Sequence, residues 1–388
     1  MIARIILPIL IMTIVPFLYV DLRYLKRRSC SWQKRLLWWL PAIFMAVYSI
    51  SLSLIKGFAP SDTTVMNLYL FLLGFIVVPM FVFMLCSLAG LGICRLFRKK
   101  RNYGNLIGLL LIFALWYILI YGSTIGFSKV VVRHIEFASA DLPASFDGYR
   151  IVHISDLHVG TYDESRSHIL QRAVDSINAQ HADLVFFTGD LQNREPQELY
   201  PYTDLLSSIK AKDGVFSVMG NHDYADYIKA DAVAKAANLR ETQRLERSFG
   251  WNLLVNEHSS VKRGSDSIVI AGMENDGDGK HFPQKGDLAK TLAGVSDDAF
   301  TIMLEHDPTA WRRKILPHSD VQLTLSGHTH AMQFSLFGWS PSTLVYSEWG
   351  GMFYEGARAI NVSTGLGGFL PFRFGVPGEV VVITLRAK

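Results

Sequence analysis

Asp156, His158, Asp190, Asn221, His306, His328 and His330 bring carboxylate, amide-oxygen and imidazole groups to five short motifs: DLH (156–158), GD (189–190), GNHD (220–223), EHDP (305–308) and GHTH (327–330). That mixture suits hard and borderline divalent cations, and together the motifs read as a two-metal hydrolase site. Singly, each has an ordinary explanation: a buried histidine bonds its neighbours, an aspartate at a strand end caps the next helix, and Gly-Asp makes a turn. It is the recurrence of such groups, with glycine beside four of them, that points to a metal centre.

Each motif follows a short β-branched or apolar run (151–155, 184–188, 215–218, 300–304 and 321–326). Each group therefore belongs where a strand gives way to a loop, which is where open α/β sheets bind ligands. Residues 156 and 158 are two apart, so in extended backbone they point to the same side and reach one metal; His328 and His330 repeat that spacing. Glycine permits the tight bends that turn such side chains across their strand ends.

The elements that must position these groups lie between 128 and 388, about the length of one large α/β domain. The pattern predicts strands at 130–137, 149–155, 184–188, 215–219, 252–255, 259–262, 267–271, 300–304, 321–326, 359–363 and 379–385. It predicts helices at 164–179 and 197–209, and a charged helical stretch at 227–249 that reads as a surface insertion. With little helix after Ile315, two packed sheets flanked by helices fit better than one doubly wound sheet. NDGDG (275–279) lacks the spaced glutamate that closes an EF-hand and reads as a polar turn, as does the glycine-rich TGLGGF (364–369).

The first 127 residues have another character. Four apolar stretches, 5–20, 36–55, 65–93 and 106–125, are long enough to cross about 30 Å of hydrocarbon as helices. The first is short and preceded by Arg4; Pro16, Phe17, Tyr19 and Asp21 replace a small-residue cleavage pattern, so an anchor is favoured over a cleaved signal peptide. Trp38 and Trp39 suit the aromatic belt at a membrane edge. Arg23, Lys26, Arg27, Arg28, Lys34 and Arg35 fill the first loop and Arg95, Arg98, Lys99, Lys100 and Arg101 the third, against Lys56 alone in the middle one. The positive-inside rule makes both basic loops cytoplasmic and puts everything beyond the fourth helix on the outer side of the cell membrane. The net charge of +4 sits mostly in these loops, so anionic lipid headgroups are its expected partners. Cys30, Cys86 and Cys94 all lie in this half and cannot staple the other.

The motif series resembles that of the calcineurin-like metallophosphoesterase superfamily, whose order is DxH, GDxx(D), GNH(D/E), a lone His and GHxH. The stretches 142–160 (LPASFDGYRIVHISDLHVG), 304–311 (LEHDPTAW) and 360–385 (INVSTGLGGFLPFRFGVPGEVVVITL) are similar to its membrane-associated YaeI/YkuE-like branch. The resemblance implies a four-layer αββα sandwich preceded by the four-helix transmembrane region. It implies two divalent metal ions of the Mn, Fe or Zn type, one held by Asp156, His158 and His330 and the other by Asn221, His306 and His328. Asp190 would bridge them and His222 would be catalytic. Metals about 3.5 to 4 Å apart do need an anionic bridge, and a water between them becomes nucleophilic near neutral pH. A protonated His222 would donate to the leaving alkoxide, or else only orient the site; Asp223 would support that imidazole or cap a helix. The sequence departs from the family pattern at Asn193, where a second aspartate is usual. An amide there would leave His222 less basic if the aspartate tunes it.

These features predict a membrane-anchored metallophosphoesterase. Its substrate would be a phosphodiester or a lipid-linked or cell-envelope phosphate close to the bilayer. The aromatic run Phe334, Phe337, Trp339, Tyr346, Trp349, Phe353 and Tyr354 reads as packing for a hairpin, with a wall for an acyl chain as the alternative. No basic and aromatic run tracks a nucleic-acid backbone. A non-catalytic metal-binding membrane sensor or scaffold is the rival reading, and the scarcity of mid-membrane charges disfavours transport.

Overall fold

The computed structural model describes residues 5–55, 63–280 and 282–388, so Arg4 and Lys56 lie outside the described residues. The chain divides into two compact units, Met1–Ser123 and Thr124–Lys388.

The first unit contains α1 (Ile6–Val20), α2 (Trp32–Ser53), α3 (Thr63–Leu72), α4 (Val78–Leu96) and α5 (Gly104–Tyr121). Among the described residues, four continuous helical stretches are long and apolar enough to cross a membrane: Ile6–Arg28, Trp32–Ser53, Thr64–Leu96 and Gly104–Gly126. The first outruns its expected end because the helix continues through Asp21–Leu25 and Lys26–Arg28. Asp21, which would be costly alone, forms a two-point pair with Arg35 at 2.7 Å. Trp38 Nε1 donates to the Phe17 carbonyl at 3.1 Å, which ties α2 to α1. Gly104 lets α5 lie against α4: a Cβ there would stand 2.1 Å from the Cys86 carbonyl oxygen.

In the second unit β1 (Val130–Ser139), β2 (Arg150–Ile154), α6 (Ser167–Asn178), β3 (Leu184–Phe187), α7 (Thr203–Ser207), β4 (Val215–Ser217), α8 (Ala232–Ser248), β5 (Asn252–Leu253), β6 (Glu257–Arg263), β7 (Asp266–Gly272), β8 (Thr301–Leu304), β9 (Leu323–Ser326), β10 (Gly351–Glu355), β11 (Arg358–Val362) and β12 (Gly378–Ala387) form two six-stranded sheets. One runs β1-β12-β2-β3-β4-β5 and the other β10-β11-β9-β8-β7-β6. β2, β3 and β4 are parallel neighbours, as are β8 and β9, so each set of C-terminal ends lies on one edge.

The strands are nearly continuous apolar runs because both faces of each sheet are covered. Ile151, Leu184, Phe186 and Phe216 meet Ile268, Ile302, Leu304 and Leu325 between the sheets. Val152, Ile154, Val185 and Phe187 face Ile169, Leu170, Val174 and Ile177 of α6 and Leu245 of α8. Met303, Ile360 and Val362 face Trp311 and Ile315 of a short helical segment. This is the expected helix–sheet–sheet–helix layering.

Two local expectations fail. α8 is no surface insertion, since Thr242, Leu245 and Glu246 are buried and Thr242 Oγ1 donates to Gln192 Oε1 at 3.0 Å. The expected helix at 197–209 is a 3₁₀ stretch, Pro196–Tyr202, before the five residues of α7, because Pro201 removes a backbone donor. NDGDG makes the expected polar turn at its exposed end, 278–280, while Asp276 is buried, paired with Arg313 and Lys314, and its N–H bonds Glu305 Oε1 at 2.8 Å.

Candidate metal centre

The five motifs meet where those strands end. The loops are stitched edge to edge: Asp156 N–H donates to the Gly189 carbonyl at 2.9 Å, His158 N–H to that of Asp190 at 3.0 Å, and Gly327 N–H to that of His306 at 3.0 Å. Backbone proximity thus brings distant residues into one pocket.

Asp156, His158, Asp190 and His330 form one group whose candidate ligand atoms all lie within 4.8 Å of one another. His158 Nε2 is 3.2 Å from His330 Nε2 and 3.4 Å from Asp190 Oδ2, and His330 Nε2 is 3.2 Å from Asp156 Oδ1. On the other side of Asp190, His306 Nε2 stands 3.3 Å from the same Oδ2. His328 Nδ1 lies 2.8 Å from Asn221 Oδ1 and 3.3 Å from His306 Nε2. All seven residues expected as ligands converge, and one carboxylate oxygen of Asp190 is common to both halves.

The chemistry of this donor set fits a cation. His158 Nδ1 faces Asn193 Oδ1 at 2.9 Å, and His306 Nδ1 faces the Thr188 carbonyl at 2.7 Å. Each bond holds the ring proton on Nδ1, turning an Nε2 lone pair toward Asp190. Lone pairs converging on a carboxylate repel unless positive charge lies between them. Without a cation between them a proton takes its place on Nε2: burial alone would depress His306, yet Asp190 and Asp156 overcome it and hold the imidazole up at about 10. Asp190 is itself kept well below the usual carboxylate range: burial opposes this, but His306 and His222 prevail.

The backbone differs from expectation. Asp156, His158, Asp190, His328 and His330 are not extended; their φ values are +54°, +47°, +60°, +70° and +50°. Each side chain reaches inward through a left-handed residue, a conformation costing about 1 kcal/mol or more outside glycine. Close approach, not a bend, is what requires glycine at two motif positions. A Cβ on Gly220 would stand 2.2 Å from Asp190 Oδ1, and one on Gly327 would stand 1.9 Å from Ser155 Oγ and 2.3 Å from Asp156 Oδ2.

His222 sits beside the centre, its ring edge-on to that of His158 at 4.7 Å. Its Nδ1 donates to the Asn193 carbonyl at 2.6 Å, leaving Nε2 as the outward nitrogen. Burial pushes the ring down to about 4 despite Asp190, so it is neutral near pH 7. Asn193 therefore does not tune His222 through its amide, which instead orients His158.

Asp223 neither touches that imidazole nor serves chiefly as a helix cap. Its Oδ2 accepts from the N–H groups of Asp190 and Gly220 at 2.9 and 2.8 Å, and its Oδ1 from those of Leu191 and Gln192 at 3.0 and 3.3 Å.

Several residues of the centre were not singled out from the sequence. Tyr227 OH accepts from Asn221 Nδ2 at 2.7 Å, which aims Oδ1 of that amide at the metal side, and the ring packs 4.3 Å from that of His222. Tyr346 OH and Asp307 Oδ2 stand 3.2 and 3.5 Å from His328 Nε2, leaving Nδ1 to face the centre. TGLGGF is more than a turn: the N–H groups of Leu366 and Gly367 bond the carbonyls of Ser155 and Asp156, and buried Arg373 donates to the carbonyls of Thr364 and Gly367. These bonds follow no strand or helix period, so only the aromatic and glycine content hinted at them.

Residues 149–332 match the family "Calcineurin-like phosphoesterase", and residues 3–127 match "Probable Calcineurin-like phosphoesterase, transmembrane domain". The "Uncharacterized metallophosphoesterase YkuE" of Bacillus subtilis is 30% identical over 283 residues, covering 69% of this chain and 91% of that protein. The chain belongs to the calcineurin-like phosphoesterases. With four spans and a transmembrane family match, it is a membrane-bound calcineurin-like phosphoesterase. The "Transmembrane protein with metallophosphoesterase domain" of Danio rerio is 31% identical over 220 residues, 55% of this chain; the chain spans about half of that relative, 47%. The "UDP-2,3-diacylglucosamine pyrophosphatase LpxG" of Chlamydia trachomatis is 26% identical over 298 residues, 63% of this chain and 86% of that protein.

Proposed function

We propose that the protein hydrolyses phosphate esters of lipid-linked or cell-envelope molecules on the outer side of the membrane. The observation that carries the reading is Asp190 Oδ2, standing 3.4 Å from His158 Nε2 on one side and 3.3 Å from His306 Nε2 on the other. Asp156, His158 and His330 would hold one divalent ion, Asn221, His306 and His328 the second, and Asp190 both. Such a pair supplies Lewis acidity toward the phosphoryl oxygens and a water acidified to react near neutral pH.

The chain's own groups do the rest. Asn193 and Thr188 fix the tautomers of His158 and His306, while Tyr227 and Tyr346 aim Asn221 and His328. His222 presents Nε2 to the leaving oxygen. Because burial leaves that ring neutral near pH 7, its proton would arrive with the anionic substrate, whose charge acts on it in the same sense as Asp190.

The lipid-linked choice is supported by the membrane anchor and by the printed substrate of the Chlamydia relative. The outer side is supported by the basic residues of the first and third loops. The test uses the full chain in lipid nanodiscs with Mn²⁺, on bis-p-nitrophenyl phosphate and on a lipid phosphate. Activity should vanish with chelator. Asp190→Ala should lose metal and turnover, whereas His222→Ala should keep metal and lose about 10²-fold or more in rate. Full metal loading with no turnover of any ester would favour a scaffold. Thiol labelling of intact cells through a cysteine introduced at exposed Val233 reads the side of the membrane.

A further inference from the structure

Between His330 and Tyr346 the chain carries no Asp, Glu, Lys or Arg, and here it makes a small rigid projection. Leu336 and Trp339 exchange backbone bonds at 2.9 and 3.1 Å, closing a two-residue turn of Phe337 and Gly338. Both turn residues have positive φ, +52° and +81°. Such turns favour Asn-Gly, and a bulky ring at the first position is sterically disfavoured. Nevertheless Phe337 occupies it and is fully exposed, 100%, with Trp339 at 50%, and further along the same stretch Leu344 is exposed at 77% and Val345 at 63%. Of the aromatic run expected to pack a hairpin, Phe334, Tyr346, Trp349 and Phe353 are partly buried as expected, but Phe337 and Trp339 at the tip and Tyr354 are not. Ser335 N–H donates to the Phe374 carbonyl and Phe374 N–H to that of Gln333, at 2.7 and 2.9 Å. Phe334 stacks on Phe374 at 5.7 Å.

We propose that this hairpin is a membrane wedge, with Phe337 and Trp339 entering the boundary between headgroups and acyl chains. An uncharged, aromatic-tipped surface matches the chemistry of that boundary, where Trp and Phe gain by burial without losing polar contacts. The chain itself brings a bilayer within reach, since β1 begins at Val130, four residues after the last span ends at Gly126. A strained, exposed ring in water offers the fold nothing; in a bilayer it becomes buried area. Both stems of the hairpin end at the metal centre, one in His330 and the other in Tyr346, which contacts His328. The wedge therefore presents the centre to phosphates at headgroup depth. That last step rests on the hydrolase reading above, whereas insertion itself does not.

The test uses the full chain carrying Cys30→Ala, Cys86→Ala and Cys94→Ala. A polarity-sensitive fluorophore is attached through Phe337→Cys, or through Val233→Cys as an exposed reference on α8, in phosphatidylcholine–phosphatidylglycerol vesicles. The probe at 337 should be quenched by acyl-chain nitroxides and shielded from aqueous iodide, with the reverse at 233. Iodide quenching at 337 equal to that at 233 overturns the proposal, and so does shielding from both quenchers, which means a protein surface covers the hairpin. A second variant, Phe337→Asn, suits φ +52° better than phenylalanine and keeps the fold. It should lower hydrolysis of a vesicle-borne lipid phosphate about tenfold while leaving bis-p-nitrophenyl phosphate within about twofold; equal loss on both overturns the link to the centre. A lipid-inserted probe with no lipid phosphate turned over defeats the substrate reading and leaves the wedge standing. A water-exposed probe with active lipid hydrolysis does the opposite.

Discussion

Asp223→Asn isolates what holds the two halves of the metal centre in register. The carboxylate accepts four backbone N–H groups, two on each oxygen, from Asp190, Gly220, Leu191 and Gln192. An amide of the same shape keeps one oxygen and turns an NH₂ toward two of these donors. Two charge-assisted bonds are lost and two buried N–H groups are stranded, at about 1.5–3 kcal/mol each. Burial and the nearby Asp190 push the Asp223 carboxyl up to about 7, so removing its charge returns part of that, and a net loss of about 3 kcal/mol is expected. For a unit of this size the melting temperature should fall by about 6–12 °C. Because either stranded pair, Asp190 with Gly220 or Leu191 with Gln192, belongs to the loops that carry Asp190 and Asn221, metal content should fall with it. Differential scanning fluorimetry of the full chain in detergent, with elemental analysis, reads both quantities. Asp226→Asn, which breaks only an exposed 3.3 Å pair with Lys235, should stay within about 0.5 kcal/mol. A shift of less than about 2 °C with full metal content would refute the clamp.

Asn193→Asp should act on His158, not His222: a carboxylate against Nδ1 makes the ring a stronger ligand, and metal Kd should fall about tenfold in a chelator competition. A changed pH optimum at unchanged Kd would place the effect on His222 instead. Gly327→Ala forces a Cβ to within 1.9 Å of Ser155 Oγ and should cost about 1–3 kcal/mol and bound metal, read by melting and elemental analysis. His153 is fully buried, with Nε2 beside Thr188 Oγ1 and Nδ1 beside the Asn361 amide. Burial pushes it from 6.5 down to about 3. The unfolded chain then takes up a proton that the folded chain refuses, so this stability is complete above pH 6.5 and is lost as pH falls toward 3, about 2 kcal/mol of it between pH 7 and pH 5. His153→Gln should flatten that slope in denaturant unfolding, and an unchanged slope would exclude His153 as its source.

The strand ends that carry the ligands were legible because a fully covered sheet imposes continuous apolar runs, and a polar Asp or His stands out wherever such a run stops. Asp156, Asp190 and His328 were visible for that reason. Asp223 was read as a support for His222 or a helix cap because its backbone partners lie about thirty residues away, and Tyr227 and Arg373 had no role because single hydrogen bonds across a loop leave no periodicity. The extended geometry inferred for the DLH spacing was wrong because spacing alone does not distinguish a strand from successive left-handed turns. Phe337 was misread because an aromatic residue is usually core, and only its backbone angle and full exposure show otherwise.

In the first sheet β12 lies between β1 and β2, parallel to one and antiparallel to the other. A ribosome delivers β1 early and β12 more than two hundred residues later, so a gap must stay open in the sheet until the rest of the domain has been made. β1 meanwhile waits with unpaired edges, joined to the anchor that precedes it. Pairings so distant along the chain form slowly, and such edges invite the wrong partner. A premature stop just before Gly378 would therefore remove an interior strand, leaving β1 with nothing to pair against and the metal-bearing half without its outer neighbour.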